Sequence, residues 1–153
     1  MELWKFLHIV AMFAAVSIFV GQGLLEGAVA RSGDVRALRR VLEVEDRFAP
    51  IGGGFFVLGI VLGFAAALVG GFDLLRGWLV ISYVLAAVIL VVAFAYHVPA
   101  ANRLKALAAA SPDDAPSPEL RAATHAPIVL VVAVVDILLW VAVVFMMVVK
   151  PSF

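Results

Sequence analysis

Residues 128–149 read IVLVVAVVDILLWVAVVFMMVV, an unbroken apolar run with a single acid, Asp136, near its middle. About 22 residues at roughly 1.5 Å rise each reach about 33 Å, enough to cross a hydrocarbon core of about 30 Å. The run therefore reads as a membrane-spanning helix. An ionised carboxylate at that depth costs at least roughly 2.5 kcal/mol, so Asp136 must face other helices, hold a proton or meet a partner. The rest of the chain has to supply that interior.

Composition agrees. Of 153 residues, 65% are apolar and mean hydropathy is +1.16, far outside the range of soluble domains. Eleven basic and eleven acidic residues cancel, so net charge gives no reason to expect a nucleic-acid partner. The absence of cysteine excludes disulfides, thiolate-held iron–sulfur clusters and covalently attached c-type haem, so any haem would be non-covalent.

Three further runs match the first: about 3–28, 51–72 and 78–98, with the run above placed at about 128–149. The expected fold is an all-α membrane protein, a four-transmembrane-helix up-and-down bundle forming one domain over 1–153. Ala28-Val29-Ala30 imitates a signal-peptidase site, but the first run is longer than a signal core and carries Gln22 and Glu26, so cleavage is not expected. Between spans one and two, Asp34 can cap a helix bearing Val35, Leu38, Val41 and Leu42 on one side. That pattern predicts a short cytoplasmic amphipathic helix at the membrane surface. Only 70–77 separates spans two and three, which makes them an antiparallel hairpin. In the last loop, Pro118 predicts a short helix feeding span four through Pro127.

Eight of the eleven Lys and Arg residues flank the two long loops: Arg31, Arg36, Arg39, Arg40, Arg47, Arg103, Lys105 and Arg121. By the excess of basic residues on the inner side, those loops are expected in the cytoplasm and both termini outside.

Helical periodicity gathers the polar residues onto faces. His8 and Glu26 are 18 residues apart, about five turns, so they share one line, and Met12, Ala15, Phe19 and Gln22 lie close to it. Trp140, Val143 and Met147 share the face of Asp136, while Tyr83 and His97 share a line on span three. Gly52, Gly59, Gly63, Ala66 and Gly70 give span two a small-residue face on which another backbone can pack. By depth, Glu26, Gln22, His97 and His125 group toward the cytoplasm and His8, Met12, Met147 and Tyr83 toward the outside, with Asp136 between. Asp136 is expected to face inward with Gln22 among its nearest polar groups.

Two imidazoles from different helices can clasp a b-type haem, and a His/Met set suits Cu(I) or haem. The candidate haem ligands are His8, Met147, His97 and His125, and the candidate copper ligands are His8, Met12 and Met147. A histidine at a helix end is more often an interfacial residue, and methionine in a span usually fills space. His8 is the preferred ligand, since His97 and His125 stand near the expected water boundary. Gln22, Glu26, Asp136 and Tyr83 are candidate intramembrane polar groups, and such groups mark function by default.

Lys5-Phe6-Leu7-His8, Arg31-Ser32-Gly33-Asp34 and Met147-Val148-Val149-Lys150-Pro151 resemble the predicted integral membrane proteins of the bacterial domain-of-unknown-function family numbered 2269. The resemblance implies four spans in a bacterial cytoplasmic (inner) membrane and assigns no activity. A weaker similarity, the early histidine in a four-span unit, points toward copper-resistance D proteins and the membrane protoporphyrinogen oxidase, and would carry a haem or copper role onto His8 alone.

Three roles fit these features. The first is electron transfer or haem or metal handling with b-type haem or copper in the bundle. The second is a cofactor-free accessory subunit of a larger membrane complex or homo-oligomer. The third is a proton or solute carrier using Glu26, Gln22, Asp136 and His8.

Overall fold

The computed structural model describes residues 1–152, which are helical almost throughout. The helices are α1 (Glu2–Ser32), α2 (Val35–Val69), α3 (Gly77–Val92), α4 (Val98–Ala110), α5 (Pro118–Thr124) and α6 (Pro127–Val149). A π-helical turn, Ala93–His97, joins α3 to α4 without a break. Counted with these continuations, four helical stretches are long and apolar enough to cross a membrane: Glu2–Ser32, Val35–Val69, Gly77–Ala110 and Pro118–Val149.

α1 ends at Gly33, whose φ of 77° is the left-handed conformation that ends helices and that glycine adopts without strain. Asp34 immediately caps α2, its Oδ1 accepting from the Ala37 amide at 2.9 Å. Two residues thus reverse the chain, and α1 and α2 run antiparallel in contact along their lengths. The glycines make this possible. A Cβ at Gly52 would lie 3.0 Å from Ile18, one at Gly63 would lie 3.0 Å from the His8 ring, and one at Gly59 would collide with the Met12 sulfur. The small-residue face of the second span therefore receives α1.

The segment expected as a separate surface helix is instead the first part of α2, which continues through Pro50 into the span. Its apolar stripe does not lie on lipid: Val35, Leu38 and Leu42 are buried against Leu104 and Ala108 of α4 and Leu120 of α5. The third span overruns its expected end in the same way, reaching Ala110, so each long loop supplies a helix that covers the other. Arg39 clamps this end, donating to the carbonyls of Ala108 (2.9 Å) and Ser111 (2.6 Å) and to Asp113 (2.5 Å).

α3 and α6 form the second antiparallel pair. At the end away from the long loops, Trp78, Leu79 and Met146 bury against Ala67 of α2, and the Lys150 ammonium sits 5.2 Å from the Phe72 ring centre and 5.6 Å from that of Trp78. Between the ends, the pairs touch through aromatic rings: Phe56 against Trp140 edge-on at 5.8 Å and Phe64 stacked on Tyr83 at 5.0 Å.

Candidate functional site

The site begins with a defect in the third span. Pro99 has no amide hydrogen, and in a regular α-helix its ring would press on the carbonyl four residues earlier. The chain widens just before it: the Val98 amide reaches back five residues to the Ala93 carbonyl, and Ala93–His97 form a π turn. Such turns insert one residue into the helical register and redirect the side chains they carry. Here those side chains are Tyr96 and His97.

His97 Nε2 lies 2.7 Å from Asp136 Oδ2 across the α3–α6 interface. The Asp136 side chain is 26% exposed and that of His97 is 50% exposed. Asp136 sits nine residues into α6, which places it about 14 Å from the start of that helix at ~1.5 Å per residue. Removing a carboxylate from water at this depth is costly unless a hydrogen-bonded, chargeable partner accompanies it, and His97 is that partner. With one proton between them the two groups form a neutral unit, and without it the pair carries one negative charge.

Tyr96 stands edge-on to the His97 ring, centroids 5.4 Å apart. Glu26, on α1, faces Glu45 of α2 across the same antiparallel register that sets Met12 on Gly59, and Glu45 in turn lies beside Lys105 of α4 and its own neighbour Asp46. Lys105 donates to Asp46, which closes this end of the series. Glu45 Oε1 is buried and has no hydrogen-bond partner.

Of the residues singled out in the sequence, Asp136 and His97 are brought together and the others are dispersed. The expected neighbour of Asp136, Gln22, is not hydrogen-bonded to it: the Gln22 Nε2 is buried with no partner. His8 donates from Nδ1 to the Gly59 carbonyl at 2.6 Å and packs its ring over Gly63. Met12 fills the space above Gly59, and Met147 packs on the Trp78–Leu79–Met146 cluster. His125 lies at the end of α5, its Nδ1 3.0 Å from the Arg121 carbonyl and 3.1 Å from the Thr124 hydroxyl. Tyr83 stacks on Phe64 with its hydroxyl buried and unpartnered. Among the described residues no three histidine or carboxylate side chains converge as a metal site would require.

Sequence reasoning passed over Tyr96 and Glu45. Proline two residues after a histidine in an apolar run was the available signal for the first. For the second it was the register fixed by the tight Gly33–Asp34 reversal, which sets residues 26 and 45 opposite one another once α2 is continuous.

Four helices long and apolar enough to cross a membrane, two of them joined by a histidine–carboxylate contact, define an α-helical integral membrane protein. The chain belongs to the family described as predicted integral membrane protein (DUF2269), whose model matches residues 2–151. No curated protein and no solved structure matches it.

Proposed function

We propose that this protein handles protons within the membrane, the His97–Asp136 pair being the group that is loaded and unloaded in a proton-conducting or proton-linked carrier. The observation that carries the reading is the 2.7 Å contact between an imidazole and a carboxylate on two spans. Histidine changes charge in the physiological range, and a carboxylate beside it inside the bilayer makes the charge of the pair depend on one proton. The pair sits in a bacterial inner membrane, with the long loops cytoplasmic and both termini outside, an orientation supported by the eight basic residues beside those loops.

Full-length protein reconstituted in vesicles containing a pH-reporting dye tests this. After a pH step with the membrane potential clamped, vesicles with the native chain should equilibrate faster than protein-free vesicles, and Asp136→Asn or His97→Ala should remove the difference. Equal rates for native protein and Asp136→Asn would overturn the reading.

A second reading, b-type haem or copper held for electron transfer or metal handling, is favoured by one observation at His8. Because a carbonyl only accepts, the bond to Gly59 fixes the hydrogen on Nδ1 and leaves the Nε2 lone pair available, the arrangement common in metal-bound histidines. A Soret band or stoichiometric copper in purified protein, lost in His8→Ala, would establish it. Native protein without either would dismiss it.

A further inference from the structure

We propose, apart from any proton handling, that Arg76 and Lys150 bind the headgroup of an anionic phospholipid at the end of the molecule away from the long loops. A cavity of about 430 Å³ opens there, lined by Arg76, Trp78, Lys150, Pro151 and Ser152. Its size falls within the roughly 300–1,000 Å³ of small-ligand sites. Arg76 is the residue before α3 and Lys150 the residue after α6, so the turn that follows α2 and the end of α6 bring two cations to one hollow. Among the described residues no carboxylate pairs with either, whereas Lys5, the other cation near this end, is paired with Glu2 at 3.2 Å. Asp73, the acid nearest Arg76 in sequence, accepts from the Leu75 amide through Oδ1 at 2.9 Å and so holds the turn. Two like charges gathered without a counter-charge repel, and an anion between them turns that repulsion into attraction.

Lys150 is held in place at a conformational cost. Its φ of 48° is left-handed, a backbone that residues other than glycine and asparagine seldom adopt and that persists where the surroundings enforce it, ligand clamps among them. Here the enforcing groups are rings: the ammonium sits 5.2 Å from the Phe72 centroid and 5.6 Å from that of Trp78, and the two rings fix each other edge-on at 5.8 Å. The rings orient the ammonium without cancelling its charge. The ligand class follows from the setting. The hollow lies where α2 and α6 end and α3 begins, and basic hollows between spans suit phosphate headgroups. Leu75, Val148 and Val149, next to the two cations in sequence, are exposed apolar side chains on which acyl chains can lie. Two cations favour a headgroup of net negative charge over a zwitterionic one, whose own ammonium they repel.

Native mass spectrometry of the full-length protein in neutral detergent, with phosphatidylglycerol and phosphatidylcholine of identical acyl chains, tests the site. The native chain should retain one phosphatidylglycerol about tenfold or more tighter than phosphatidylcholine, the scale expected of two cations at a membrane surface. Arg76→Gln and Lys150→Gly should each weaken that preference by about threefold or more, and the double variant should abolish it. Glycine takes the left-handed backbone without strain, and helix content measured on the same Lys150→Gly sample identifies any folding defect. A double variant that keeps the native preference, or a native chain that shows none, would overturn the proposal. Displacement of the lipid by inorganic phosphate would overturn it too, in favour of a soluble anion.

Discussion

The two helical pairs are held together by different means. α1 and α2 approach through glycine, so that His8, Met12 and Ile18 lie directly on the facing backbone and little space is left between them. α3 and α6 carry no such face. Their middle is dominated by branched aliphatic side chains turned outward, and Met146 is the one buried residue of α6. Across that middle the contact that stands out is polar, His97 to Asp136. A backbone-to-backbone seam is rigid because bilayer helices gain stability from close packing. A seam pinned by one titratable pair can change with its proton. In the proposed reading the first pair is thus the frame, and the second holds the group that responds.

The comparison breaks most directly at Gly59. Gly59→Leu should drive α1 off α2 and cost about 1–3 kcal/mol or more, as overpacking does. Comparison of unfolding by denaturing detergent, native against variant, checks this. A variant as stable as native would show that the glycine seam is not what joins the pair.

Asp136→Asn should cost far less stability, about 0.6 kcal/mol and not above roughly 1.7, the range measured for polar contacts between spans, while removing proton conduction. Stability and conduction measured on one preparation separate the two effects. Loss of both together would mean that the pair is chiefly a fastener.

The smallest effect is expected outside the membrane, at the Arg39–Asp113 clamp. Asp113 is held below the usual carboxylate range, first by the Arg39 hydrogen bond and then by the charge of Arg36. A lowered carboxyl favours the folded state above its unfolded value, and that contribution is lost as pH falls through the folded value. Protection from hydrogen exchange at 111–117, taken relative to the intrinsic rate at each pH, should therefore fall on acidification into that low range, and Asp113→Asn should remove the dependence. Exchange insensitive to both would leave the clamp without a role in ordering the loop.

The four apolar stretches and the glycine face were legible because hydropathy and helical period act locally. The partner of Asp136 was not. Ending the third span near Val98 made His97 a boundary residue, whereas the π turn before Pro99 carries the helix on to Ala110 and leaves His97 opposite Asp136. Glu45 was hidden for a similar reason: a separate surface helix at 35–50 has no fixed register to α1, and only a helix running unbroken through Pro50 places Glu45 on Glu26. In both cases the helix runs on past a proline at which the pattern alone predicts an end.

The central claim is that the His97–Asp136 pair takes up a proton inside the bilayer. Infrared difference spectra of the full-length protein in lipid, recorded between two pH values, test it through the carbonyl stretch of a protonated carboxylic acid and the ring modes of histidine. The account predicts a pH-dependent signal from these groups in the native protein that is absent from Asp136→Asn and altered in His97→Ala. Identical difference spectra for native protein and Asp136→Asn would contradict it.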